Sequence, residues 1–295
     1  MTSLPRGIAA ATVCALLIAS PWPVAAGVAQ PASHATGRRP RASAGESRRP
    51  IDLDADGCGS RDGVFVHGSR SSDAVAVTFD ACPTSRSPGF APEIVDLLER
   101  EKVPTTFFVS GRWAETHPEA FARLRGVPFF EIALHGHRHR HLVHGAPEAM
   151  LAEITDGRAA LAKLGAVPEP IFRPPFGDAP AELAEVARRA GVVAVTWDTA
   201  PGDPDPQVTA AAIERGVVER VQAGSIVVLH ANGRGVGTPK ALPGLIAGLR
   251  ARGLRLVRAS EILAPCLRTE ARGASAGPSV QPSPTPSPNG VAEPG

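Results

Sequence analysis

Short runs of Val, Ile, Phe and Ala recur along this chain with little polar interruption, and segments with helical spacing separate them. The runs lie at 74–79, 105–109, 129–134, 171–173, 192–197, 225–229 and 254–257, and each reads as a strand. Between them, 92–101, 118–124, 148–164, 181–190, 208–222 and 239–252 read as helices; in 148–164, Leu151, Ile154, Leu161 and Leu164 share one face. A strand apolar on both faces must be covered on both. Parallel strands joined by helical crossovers meet that demand. About seven such units predict an α/β fold whose strands form a distorted (β/α) barrel.

The alternation occupies 73–265, long enough for one domain with a substantial core. The flanks differ. Residues 1–26 have the pattern of a secretory signal: Arg6 at a short basic start, an apolar stretch to Ser20, and small residues at Val24-Ala25-Ala26. Pro21 and Pro23 interrupt that stretch, so a cleaved signal is preferred over an uncleaved anchor, and a secreted or envelope-associated protein is expected. Residues 27–72 read as a disordered linker with a short N-terminal extension, and 266–295, rich in Pro and Ser, as a disordered tail. The arginines at 38, 39, 41, 48 and 49 fit a solvated linker. A net charge of +2 leaves no footprint for nucleic acid, and a monomer is expected. Export leaves Cys58, Cys82 and Cys266. Cys58 and Cys266 flank the domain and could staple its ends, with Cys82 an alternative partner for either.

Polar residues gather where the strands stop: Asp80, His135, Arg173, Asp198 and His230. In a barrel of parallel strands, those ends form one mouth. His135 and His139 stand four apart, a spacing that suits two imidazole ligands, although five of the nine histidines fall between His135 and His144 and such a tract can also be mere surface.

Five segments carry a resemblance in chain order. They are Thr78-Phe79-Asp80-Ala81, His135-Gly136-His137-Arg138-His139, Arg173-Pro174-Pro175-Phe176-Gly177, Trp197-Asp198 through Asp203, and Val227-Val228-Leu229-His230. Together they resemble the polysaccharide deacetylases of carbohydrate esterase family 4, the NodB-homology domains, across nearly all of 73–265. The resemblance implies a NodB-homology barrel that removes acetyl groups from N-acetylated or O-acetylated polysaccharide, using water and a divalent metal such as Zn²⁺. It implies Asp80 as general base, His135 and His139 as metal ligands, and Arg173 as the cation that holds Asp80 ionised. His230 would be the general acid, kept protonated by Asp203. The Phe176 N–H would serve the oxyanion, and Pro175, Phe176, Trp197, Val228 and Leu229 would bound the substrate pocket. Peptidoglycan or a chitin-like oligosaccharide is the implied partner. His137, His141 and His144 take no role.

Ala81 departs from the pattern, because the family has there a second Asp that binds metal. No third protein ligand is identified. Cys82 is adjacent but is expected on the opposite side and reads as a buried thiol or bridge partner. Gly136 likewise replaces a Ser/Thr whose hydroxyl would brace the loop. The alternatives are an impaired glycan-binding protein of the same fold, or a cyclic-amide amidase with altered or no metal.

Overall fold

The computed structural model describes residues 50–275; the expected signal at 1–26, most of the linker and the end of the tail lie outside the described residues. Three short strands come first: β1 (Asp52–Leu53), β2 (Gly59–Arg61) and β3 (Val64–His67), forming a small antiparallel sheet. The barrel strands follow in alternation with helices. These are β4 (Ala74–Ala81), α1 (Pro92–Arg100), β5 (Thr105–Val109), α2 (Gly111–Thr116), α3 (Pro118–Gly126), β6 (Phe130–Leu134) and α4 (Pro147–Lys163). Then come β7 (Glu169–Phe172), a 3-10 turn at Pro175–Gly177, α5 (Leu183–Arg189), β8 (Val193–Ala194), α6 (Ala210–Val218), β9 (Ile226–His230), α7 (Thr238–Ala251), β10 (Arg255–Leu256) and α8 (Ala259–Ser275).

The second sheet has seven strands, all paired in parallel. β4 is central, with β9 on one edge and β5, then β6, β7 and β8, running from the other. The sheet curls until Thr199, beyond β8, pairs in parallel with Val227 of β9. The expected distorted (β/α) barrel is therefore observed, its last side closed by the Thr199–Val227 bridge, with β3 bridging to Val195 and Ser225 beside it.

Side-chain alternation along β4 separates two cores. Val75, Val77, Phe79 and Ala81 join the apolar layer between sheet and helices, while Ala74 and Ala76 face an inner cluster with Phe108, Ala133, Ile171 and Ile226. Phe79 stacks on Phe107 at 5.5 Å between centroids, and Phe107 meets Phe130 edge-on at 5.1 Å. Removing one such ring from a packed interior costs about 3–5 kcal/mol, which makes this row a principal support of the β4–β5–β6 ladder.

The boundaries expected at 73 and 265 are too narrow. β3 is buried throughout, and Phe65 pairs with Val195, filling the gap beside the short β8. At the other end, α8 packs Ile262, Leu263 and Cys266 into the inner cluster. Cys58 and Cys266 form a disulfide that joins these two additions, and Cys82 is free and buried.

Candidate active site

The mouth of the barrel collects residues from four strand ends. Asp80 ends its strand on the inner face, 3% exposed. Arg173 Nη1 donates to its Oδ1 at 2.7 Å, and His135 Nε2 lies 3.6 Å from its Oδ2. Arg173 is fully buried, its guanidinium 3.8 Å above the Phe108 ring. Burial alone would push the Asp80 carboxyl upward, but His135, Arg173 and His230 overcome it and hold the group below its ordinary value. Truncating Arg173 would strand a buried carboxylate, a change that costs about 3–5 kcal/mol in comparable settings.

His135 follows β6. Its Nδ1 donates to the Arg173 carbonyl at 2.8 Å, which leaves Nε2 turned toward the site as an acceptor. Burial lowers the basicity of His135, and burial together with His135 pushes His139 down to about 2, which favours the neutral imidazole, the form that binds metal. The rings meet edge to face at 4.9 Å.

The loop carrying these histidines is held by α4. Glu153, buried on that helix, accepts from the backbone N–H of His137 at 2.9 Å and of Arg138 at 3.0 Å. Gly136 has φ +73°, and a Cβ there would stand 2.7 Å from Glu153 Oε2. The hydroxyl missing at position 136 is thus replaced by a carboxylate reaching from the helix, and glycine is the residue that leaves room for it. His139 and Phe176 adopt φ of 60° and 61°, left-handed conformations that cost non-glycine residues energy and gather at functional sites.

His230 ends β9 and is the register partner of Asp80, so the two side chains stand side by side on one face. Asp203 fixes it: Oδ1 accepts from Nδ1 at 3.0 Å, and Oδ2 accepts from the His230 N–H at 2.8 Å and from Thr238 Oγ1 at 2.9 Å. Burial works against protonation of His230, yet the hydrogen bond and charge of Asp203 raise it above its ordinary value.

Phe176 is 44% exposed at the rim, stacked on His141 at 3.8 Å and edge-on to His139 at 4.3 Å. Pro175 is buried beneath it, and a Cβ on Gly177 would meet the Trp197 ring at 2.7 Å, so the turn lies directly against that tryptophan. Leu229 does not belong to this wall. It is fully buried in the layer between sheet and helices, because in β9 it is Val228 and His230 that share the inner face. Asp198 serves the frame, accepting from Arg70 at 2.8 Å and Ser225 at 2.7 Å.

Cys82 corrects the expectation most. The alternation that turns Ala81 outward, into the apolar layer, returns Cys82 to the side of Asp80. Its Sγ and one nitrogen each of His135 and His139 all lie within 4.8 Å of one another. Small side-chain rotations would let one ion with bonds of about 2.0–2.3 Å span such a trio. Burial and the charge of Asp80 push the thiol up to about 12. Sequence reasoning passed over Glu153, Asp178, which accepts from His141 and the Leu142 N–H, and Asn232, which donates to Cys82. Only Cys82 carried a local signal, its two-residue offset from Asp80.

Known proteins resemble this chain in sequence and in fold. Residues 67–195 match the family model described as polysaccharide deacetylase. A peptidoglycan-N-acetylglucosamine deacetylase of Bacillus cereus is 31% identical over 194 residues, covering 64% of this chain and 87% of that protein. A chitooligosaccharide deacetylase of Sinorhizobium fredii is 31% identical, covering 53% and 71%. The crystal structure of a peptidoglycan N-acetylglucosamine deacetylase superposes with a TM-score of 0.61 at 26% identity, covering 67% of this chain and 91% of that one. A pseudoenzyme of carbohydrate esterase family 4 from Bacillus anthracis shares the fold, with a TM-score of 0.62 at 18% identity over 69% of this chain and 70% of that one. By the extent of the match to the Bacillus cereus enzyme, the chain belongs to the polysaccharide deacetylase family.

Proposed function

We propose that this protein hydrolyses acetyl groups from an N-acetylated cell-wall polysaccharide, with peptidoglycan and chitin-like oligosaccharides as the substrate class. The observation that carries the reading is the pairing of opposite proton roles at adjacent strand ends. The charges around Asp80 favour its ionised form, while the hydrogen bond and charge of Asp203 favour the protonated form of its register partner His230. Amide hydrolysis needs both, one group to take a proton from attacking water and another to give one to the departing amine.

His135 and His139 would hold a divalent ion, which when bound supplies Lewis-acid polarisation of the carbonyl and acidifies water. Asp80 accepts the proton of the attacking water, and Arg173 keeps it in place and charged. His230 delivers a proton from Nε2 to the amine nitrogen, since Nδ1 is committed to Asp203. The Phe176 N–H, from a backbone in the left-handed conformation, would serve the oxygen that gains charge, while Trp197, Pro175 and Val228 would bound the acetyl group. An exported setting belongs to the same reading, supported by the signal-like residues 1–26 and by the disulfide.

Acetate release from N-acetylglucosamine oligomers and from peptidoglycan tests the proposal. Asp80→Asn and His230→Ala are each expected to lower kcat/KM by about 10²–10⁴-fold. Undiminished release in both variants would remove Asp80 and His230 from the chemistry. Glycan retention without turnover by the native chain would favour the non-catalytic reading.

A further inference from the structure

The family pattern expects a carboxylate at position 81, and this chain has alanine there. In the structure that methyl group is fully buried among apolar side chains of the sheet–helix layer, with Val109 and Leu134 in the same cluster. A ligand is therefore not simply deleted from the mouth; position 81 faces elsewhere. The next residue faces the mouth instead.

Three independent features converge on that residue. Cys82 Sγ sits with His135 and His139 in a trio of ligand-capable atoms all within 4.8 Å of one another, and Asp80 is not part of the trio. Cys82 is excluded from disulfide formation with the other described cysteines, because Cys58 and Cys266 are already joined. Asn232 Nδ2, itself fully buried, donates to the Cys82 carbonyl at 2.8 Å and to Sγ at 3.1 Å. That amide fixes where the sulfur points and offers the N–H contact that supports a sulfur carrying negative charge. Such outer contacts commonly orient metal ligands and tune their donor strength. Asp80 is meanwhile tied to Arg173 through Oδ1, which suits a base better than a ligand.

We infer that Cys82 is the third protein ligand, so that the metal centre is Cys82-His135-His139 and not the carboxylate–two-histidine set of the family. The inference rests on the deacetylase reading only in supposing that a metal is bound. On binding, the S–H bond of Cys82 breaks, a sulfur–metal bond forms and the proton passes to solvent. The set keeps one anionic ligand, as a carboxylate would, but a softer one. Thiolate with two imidazoles selects Zn²⁺ and Co²⁺ over Mg²⁺ and Mn²⁺, which prefer oxygen. Asn232 is a positioning residue, acting through the sulfur.

Loading the metal-stripped full chain, disulfide intact, with Co²⁺ tests this directly. A sulfur-to-cobalt charge-transfer band in the near ultraviolet is expected, lost in Cys82→Ser together with at least tenfold weaker binding. X-ray absorption of the zinc-loaded native chain needs no variant, so it decides even if Cys82→Ser fails to fold. It is expected to show one sulfur neighbour at about 2.3 Å beside nitrogen or oxygen at about 2.0 Å. Cobalt bound without the band, a zinc shell of nitrogen and oxygen alone, or no metal binding would each overturn the inference. Acetate release is scored separately. Release with an all-nitrogen-and-oxygen shell overturns the ligand and leaves the deacetylase reading standing. A sulfur-bound metal without release supports the ligand and counts against that reading.

Discussion

Single residues at the mouth are tuned in opposite directions by their neighbours, and this predicts a pH profile. Asp80 is held below its ordinary value of 3.8, and His230 above its ordinary 6.5. Activity that needs Asp80 ionised and His230 protonated therefore spans a plateau whose alkaline limb lies above 6.5. Asp203→Asn removes the charge that raises His230, so the alkaline limb of kcat/KM should move to lower pH while the acid limb stays, a shift that pH–rate measurements read directly. A raised folded-state value means that the His230–Asp203 contribution is complete below the unfolded value and is lost as pH rises through the folded one. Asp80, His135, Arg173 and His230 were legible because each ends or follows an apolar run, His139 through its spacing from His135, and Asp203 only through the family resemblance. Cys82 was read as facing the opposite side, since deciding which of two consecutive residues faces inward requires the register of the strand.

At the scale of elements, strand alternation and a helix together place the loop that carries His135 and His139. β4 sends Asp80 and Cys82 to one side and Ala81 to the other, while α4 contributes no group to the mouth yet holds the loop through Glu153. Glu153→Ala leaves two partly buried N–H groups without their acceptor and frees the segment between His135 and His139. Metal affinity is expected to fall about 10–100-fold, as for other losses of supporting contacts, measurable by titration with Zn²⁺. Unchanged affinity would mean that the backbone of the loop is self-supporting. Helix and strand positions in the barrel were readable from apolar periodicity. β8 shrank from an expected six residues at 192–197 to Val193–Ala194, because its outer partner is the isolated bridge from Phe65 and not a full neighbouring strand.

The whole molecule is larger than its repeating pattern. β1 to β3 are only two to four residues long, in a segment rich in Asp and Gly, and carry too little periodicity to read as structure. Their place is set by long-range contacts: Phe65 beside Val195, and Cys58 bonded to Cys266 across 208 residues. A bond that closes so long a loop restricts the unfolded chain strongly, so Cys58→Ser with Cys266→Ser should cost about 2–5 kcal/mol in denaturant unfolding. The mouth takes none of its candidate ligands from these additions and should keep its metal affinity in that variant. That the molecule is a metal-dependent deacetylase is tested by acetate release from a defined N-acetylglucosamine oligomer by the full chain, before metal removal, after it and after return of Zn²⁺. Release should fall to background on removal and recover as about one equivalent of zinc is restored. Release unaffected by metal removal, or absent from the zinc-loaded chain, would contradict it.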